Sequence, residues 1–518
     1  MRLRHASIIL ALSACSEASP TAADGGLVVN LDAAAIPGQD AALVGSLDAT
    51  AVNTDGGAPS PGGARPVTRG GMYLGFAERF NRWYTDPTWT PTRTIYISAA
   101  GNGDGSSRNT PAAASTVPTF GTPGTRILYL RGNYDNHCIE LSDTESGTYD
   151  QPIVIEAEAG VVLNCCSTGR QTCINLENAS YVAVTGFEMS GGNYGVRSVG
   201  SGYAASEHAR GIAAVGNIIH DQLRDPILTG ASDWAAWESN TCSRGGAGDG
   251  HGIYLSNGSD WNIVRKNELF DNSSADFQIN ADPQSTCADE GLEFDDPLCD
   301  AYAGTAEGGR GASDYMFIES NFFHHGNGQG ANFTSVRRSV VRNNIFAIYA
   351  RHGVSFWQET DNPNLGSSDN AVHHNLFVAS NNRQMVQFIV DSTRNDVRNN
   401  LFVGVTIAGQ TVTANPRAVF METDGTVGAN VYDHNDYISG IFDGDAPHAP
   451  NASEAVRATF DPAWFAAFPT ALDHSAAAFA PSATAPFRRL APRLPGALED
   501  LAGVTRTDPT DPGPLQSP

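Results

Sequence analysis

Asn217, Asn240, Asn267, Asn321, Asn344, Asn375, Asn400 and Asn435 each follow a short β-rich run and precede further apolar residues, at intervals of 23, 27, 54, 23, 31, 25 and 35 residues. Most of these intervals fit one coil of a solenoid, and the longer ones fit a coil carrying an insertion. Three residues before each Asn the column reads Ala214, Trp237, Val264, Ile318, Val341, Val372, Val397 and Tyr432, apolar or aromatic throughout. Two residues before it stand Val215, Glu238, Arg265, Glu319, Arg342, His373, Arg398 and Asp433, mostly charged and of mixed sign. Side chains alternate across a strand, so the first column predicts an inward ladder and the second an outward ladder of paired charges. Asn tolerates left-handed backbone and can bond to the coils above and below, which predicts a tight corner at the Asn itself.

The unit is plainest between Asp249 and Asp282. Gly252–Asn257, Asn262–Asn267 and Ala275–Asp282 are short runs rich in Ile, Val, Tyr or Phe, punctuated by Asn, Gly, Ser and Asp, which is the chemistry of strands and turns. No helix fits between them. Upstream, Thr94–Ser98 and Arg126–Arg131 read as strands, the first followed by a Gly101-Asn-Gly-Asp-Gly105 turn. The segment G-I-Y-L-S-N-G-S-D-W-N-I-V-R-K-N-E-L-F-D-N resembles the coil signature of right-handed parallel β-helix proteins, the pectate-lyase-like superfamily. The opening strand and turn, the later Arg131-Gly-Asn-Tyr134 and the closing Asp500-Leu-Ala-Gly-Val-Thr-Arg506 resemble the same proteins. The resemblance covers residues 93 to 440 and, more weakly, the tail. It implies an all-β chain folded as a right-handed parallel β-helix solenoid with loop insertions. It selects no activity, because the superfamily includes lyases, hydrolases, epimerases, tailspikes and adhesins.

The ends read differently. Residues 1–15 combine a basic start, an apolar run and Leu12-Ser13-Ala14-Cys15, which resembles a bacterial lipoprotein signal with Cys15 as the lipidation site. The protein is therefore expected outside the cytosol, in the cell envelope or secreted, held to a membrane only by that anchor. Residues 16–72 are Ala, Gly, Asp, Pro and Ser, a tether. Residues 73–440 are the β-helix, with Phe76–Trp89 as its N-terminal cap, and 441–518 a Pro- and Ala-rich segment with one helical candidate, Pro462–Phe468. Beyond Cys15 seven cysteines follow. An oxidising compartment favours disulfides among them, with at least one thiol left over. A net charge of −25 argues against nucleic acid and against a polyanion unless calcium bridges the carboxylates. A monomer is expected.

Chemistry is expected on the third strand of successive coils, I-Y-L-S (253 to 256), F-Q-I-N (277 to 280), A-N-F-T (331 to 334), V-S-F-W (354 to 357) and V-Q-F-I (386 to 389). Alternation turns Tyr254, Gln278, Asn280, Asn332, Trp357 and Gln387 outward, with Ser256, Thr334 and Ser355. Amides bond to sugar hydroxyls and an indole offers a pyranose an apolar face, so this row is the expected polysaccharide-binding face. A plain solvated sheet would look the same. At the ends of the row lie Asp249, His251, Asp282, His324, His325, Arg351, His352 and Glu359. A lyase acting on a uronic acid needs a cation, a base and an acid within reach of one another. His251, Arg351, His352 and Asp249 are the catalytic candidates, and Asp282 and Glu359 the candidate calcium ligands. A glycosidase needs facing carboxylates instead. A binder needs only the amides and Trp357. Lys266, the single lysine against 30 arginines, stands beside an Asn corner and away from this row. The acidic insertion Cys287–Asp300 and the loop Trp357–Asp369 flank the row, the first lacking the ligand spacing of a calcium loop. The expected function is cleavage of an acidic polysaccharide by β-elimination. A glycan-binding or structural role and glycoside hydrolysis are the alternatives.

Overall fold

The computed structural model describes residues 90–517 apart from 203–206, 247, 284–285, 287–311, 360–361, 363–364, 379–382, 405–416, 422–429, 439–440, 445–449, 469–474 and 495–498. The leader with Cys15, the tether, the cap Phe76–Trp89 and nearly all of the acidic insertion lie outside the described residues.

Strands from Arg93–Ser98 to Ala455–Arg457 build three long sheets of 13, 12 and 11 strands, every pair in them parallel. The β-helix therefore runs past residue 440. One coil shows the plan: Ile263–Arg265 in the first sheet, Glu268–Phe270 in the second and Phe277–Asn280 in the third. The second-sheet strand is the one sequence reading passed over, because three residues carry too little alternation to be seen. The predicted inward column is in register from Ala214 through Trp237, Val264, Ile318, Val341, Val372 and Val397 to Tyr432. All of these are buried. Outward, Arg265 pairs with Glu238 at 3.0 Å and Arg342 with Glu319 at 2.6 Å.

The Asn column is a continuous hydrogen-bonded ladder inside the corner between the first and second sheets. Asn267 shows the pattern: its backbone N–H and its Nδ2 both donate to Asn321 Oδ1, at 3.0 and 3.0 Å, while Nδ2 also donates to the Trp237 carbonyl at 2.8 Å. The same contacts repeat from Asn217 to Asn435. One expectation is corrected here. The left-handed residue is the one before each Asn: Gly216 at φ 65°, then Ser239, Lys266, Ser320, Asn343, His374, Asn399 and His434 with φ between 51° and 58°. That turn aims the Asn amide along the solenoid axis, where it satisfies backbone groups that the corner removes from the sheets. Lys266 accordingly sits at a corner, its Nζ 3.5 Å from Glu238. A shorter ladder, Asn370–Asn395–Asn430, lines the corner between the third and first sheets.

Inside the second sheet Phe323, Phe346, Phe377, Phe402 and Tyr437 stack with ring centroids 4.8 to 5.1 Å apart. Cys242 occupies the same inward column beside Leu269 and is a buried free thiol. Cys138–Cys166 and Cys165–Cys173 are disulfides. From Phe322 onward the outward face of the second sheet is largely apolar, and the C-terminal segment folds back over it. Phe465, Phe468, Phe479, Phe487 and Leu515 pack on Phe322, Ile345, Leu376 and Leu401. The helical candidate there is a single 3₁₀ turn, Pro462–Trp464. Among the described residues no helix is long and apolar enough to cross a membrane.

Candidate functional site

The third sheet carries the predicted register. Tyr254 aligns with Gln278, Asn332, Ser355 and Gln387, and Ser256 with Asn280, Thr334 and Trp357. Ile253, Leu255, Phe277, Ile279, Phe333 and Phe356 point inward and are fully buried. The outward row is less open than its polarity suggests. Asn332 Nδ2 donates to Gln278 Oε1 at 2.8 Å, Trp357 Nε1 to Asn332 Oδ1 at 2.9 Å, and Ser355 Oγ to Gln387 Oε1 at 2.9 Å. Gln278 and Asn332 are buried, so their amides form a pre-ordered floor, while Tyr254, Asn280, Trp357 and Gln387 stay partly exposed.

Two third-sheet strands begin at a pinch. A Cβ at Gly252 would lie 2.6 Å from the Asp276 carbonyl oxygen, and one at Gly353 2.4 Å from that of Met385. Glycine there lets the residue before it, His251 or His352, enter the coil in a fixed pose. His251 is nearly buried. Its backbone N–H donates to Asp225 Oδ1 at 2.8 Å, and its ring Nδ1 lies 3.1 Å from the Ala275 carbonyl oxygen. A carbonyl only accepts, so the neutral ring carries its proton on Nδ1 and presents the lone pair of Nε2. The imidazole stands edge-to-face with Tyr254, ring centroids 5.0 Å apart.

Tyr254 is the centre of a carboxylate cluster. Burial pushes its hydroxyl well above the ordinary tyrosine value, and Asp282, Glu359, Asp225 and Asp249 add to the shift, so it remains a donor at any working pH. Asp282 lies in left-handed backbone just past the strand. Its N–H donates to Asn280 Oδ1 at 2.8 Å, and Asn257 Nδ2 approaches its Oδ2 at 3.4 Å. Burial and then the charge of Asp282 push the Glu359 carboxyl up to about 7, against the opposing hydrogen bond from Asn280. Asp225, buried and raised by that burial, is the residue sequence reading missed. The signal was present: Arg224-Asp225-Pro226 opens the preceding third-sheet strand, Ile227–Gly230, aligned with Ile253–Ser256.

Other candidates fall elsewhere. His352 occupies the same column as His251 but three coils away, about 14 Å at strand spacing. Burial and the charges of Arg383 and Arg351 depress it to about 4, so it is neutral. Arg351 is exposed beside it. His324 belongs to the second sheet, as the end of Phe322–His324, with His325 just beyond, and stacks on Phe270 there; neither lies on the row. Asp249 is exposed at the rim. Among the described residues no three His, Cys, Asp or Glu side chains converge as metal ligands.

No protein-family model and no curated protein matches the chain. Among solved structures, pectate lyase Pel9A superposes with a TM-score of 0.52 at 13% identity, covering 83% of this chain and 97% of that one. The complex of XylC with xylose gives 0.48 at 10%, covering 82% and 98%. The A-module of the Azotobacter vinelandii mannuronan C-5 epimerase AlgE6 gives 0.43 at 11%, covering 64% and 90%. At such identity the first likeness establishes the parallel β-helix fold and nothing finer.

Proposed function

We propose that this protein cleaves a polysaccharide by glycoside hydrolysis at the Tyr254 site. The carrying observation is the Glu359–Asp282 pair: one carboxyl held near neutrality by burial and by an acidic neighbour. Two carboxyls whose environments separate their protonation supply an acid and an ionised partner at one site. Glu359 gives its proton to the glycosidic oxygen as the bond to the anomeric carbon breaks. Asp282 stabilises the positive charge that develops there and activates the incoming water or attacks in its place. The Tyr254 hydroxyl, the Asn280 amide and the Trp357 face position the ring. His251 Nε2 accepts from a sugar hydroxyl. The Asp282 carboxylate favours an uncharged residue at the cleaved bond, since a uronate there would meet like charge.

Lyase chemistry is the second reading, favoured by His251, whose Nε2 beside Tyr254 suits abstraction of a ring proton. In that reading Asp282 and Glu359 would hold calcium, and the ion would neutralise the uronate carboxylate. Export, the lipid anchor at Cys15 and life in an oxidising compartment belong to this proposal, supported by the two disulfides.

The test incubates purified protein with neutral and acidic polysaccharides, with calcium and with chelator. Reducing ends and the ultraviolet absorbance of unsaturated sugars are followed together. New reducing ends without absorbance, lost in Glu359→Gln, are expected. Absorbance rising in step with ends replaces hydrolysis by elimination. Binding without either product makes the protein a glycan-binding module and overturns both.

A further inference from the structure

Upstream of Tyr254 the third sheet changes sign. The outward row continues through Leu228 to Arg197 and Asn175, so Arg197 stands two coils from Tyr254, about 10 Å away at strand spacing. Arg197 Nη1 donates to Asn175 Oδ1 at 2.9 Å and to Glu177 Oε2 at 3.1 Å. Arg170 Nη2 holds the same carboxylate, at 2.8 Å from Oε1 and 2.6 Å from Oε2. Two guanidiniums thus share one acid. A third, Arg224, is exposed, lies 5.5 Å over the Tyr194 ring and makes no ion pair among the described residues. Glu140 is exposed one position beyond Asn175 in the row, and Asp225 is turned to the His251 backbone. In a chain of net charge −25 this is a local cationic island.

We propose that Arg170, Arg197 and Arg224 form a subsite for an anionic substituent, a carboxylate or a sulfate ester, on the glycan that occupies the Tyr254 site. The proposal rests on the reading that a glycan lies along this row, and it names that glycan's class. The polymer carries acid groups, with an uncharged residue at the anionic centre and an acidic one about a disaccharide's length upstream. Arginine suits the task because its planar fork takes a planar oxyanion by two parallel hydrogen bonds. Tyr194 adds a rigid wall that holds Arg224 in place by a cation–π contact.

The experiment measures binding without turnover, on Glu359→Gln protein, to partly carboxyl-reduced polygalacturonate, chondroitin sulfate, its desulfated form, fully carboxyl-reduced polygalacturonate and an uncharged galactan. It repeats the series with Arg170→Ala and Arg224→Ala added together, and with Arg224→Gln alone as a milder change at an exposed site. The double change is expected to weaken binding of at least one anionic polymer about tenfold and to flatten its salt dependence, as loss of charge-assisted hydrogen bonds would. The uncharged polymers are expected to be unaffected, with the melting temperature unchanged. A response to the sulfated polymer alone assigns the subsite to sulfate, and a response to the uronates assigns it to carboxylate. Equal losses on charged and uncharged polymers, or no anionic polymer responding to the arginines, overturns the subsite. Failure of wild-type protein to cleave would sink the hydrolytic reading and leave this result standing.

Discussion

Glu359 links stability to activity at one residue. Its folded value of about 7 lies above the ordinary 4.5, so folding takes up a proton between those two values. The stabilisation is complete below about 4.5 and is lost as pH rises through about 7, a swing of up to about 3 kcal/mol. Glu359→Gln keeps the acceptor facing Asn280 and cannot ionise. The variant should therefore melt higher than wild type at pH 8 and equally at pH 4.5, while losing at least 100-fold in hydrolysis. Wild-type hydrolysis should fall as pH rises through about 7, because only protonated Glu359 can act as the acid. A melting gain of equal size at both pH values would show that desolvated charge is not what this carboxyl stores. Sequence reading reached Asp282 and Glu359 by counting two residues past Asn280 and Trp357, although the chain has already turned into left-handed backbone at Asp282. It missed Asp225 because the aligned set of strands began one coil late. It placed His324 and His325 on the row because nothing in His-His says which of three sheets it ends.

At the scale of the element, the Asn ladder is what the repeat is for. Asn321 accepts two hydrogen bonds from Asn267 and donates to the Val264 carbonyl and to Asn344 Oδ1, all without solvent. Asn321→Ala leaves those partners buried and unsatisfied, and each orphaned group costs about 1–3 kcal/mol. A loss of at least 3 kcal/mol in urea unfolding is expected. Lys266→Ala, one rung away on an exposed corner, should cost less than about 1 kcal/mol. Equal effects at the two sites would mean the ladder carries no special weight. The ladder was legible because its positions are spaced by the coil and occupied by one residue type. Its geometry was not, since the left-handed residue before each Asn is Gly, Ser, Lys, Asn or His, a column too varied to stand out. From Phe322 onward the second sheet stayed hidden for a different reason: its strands present apolar side chains on both faces, as in Phe322-Phe323 and Leu376-Phe377, so no alternation marks them.

That two-faced sheet sets the organisation of the whole molecule. An outward face bearing Phe322, Ile345, Leu376 and Leu401 cannot meet water without cost, and the C-terminal segment covers it. Arg506 fastens the cover. Fully buried, it donates to Asn343 Oδ1 at 2.7 Å and to the Gly513 and Glu499 carbonyls, and Asn343 Nδ2 donates back to Glu499 at 2.9 Å. A second latch joins Asn399 Nδ2 to the Pro492 carbonyl at 2.7 Å. Both latches use the left-handed corner residues, the column that carries Lys266 farther up the solenoid. Arg506→Met keeps the stem's volume and removes every donor, orphaning buried carbonyls at a cost of about 3 kcal/mol. Coils in a solenoid contact only their neighbours, so the damage should stay local. Hydrogen exchange should accelerate in residues 461–517 and in the second-sheet strands they cover, from Phe322–His324 to Leu401–Val403, and not in the coils before Val199. A chain ended after Arg457 should aggregate, because it leaves that apolar face bare. Exchange that rises uniformly along all three sheets would show instead that the tail is coupled into the folding of the entire β-helix.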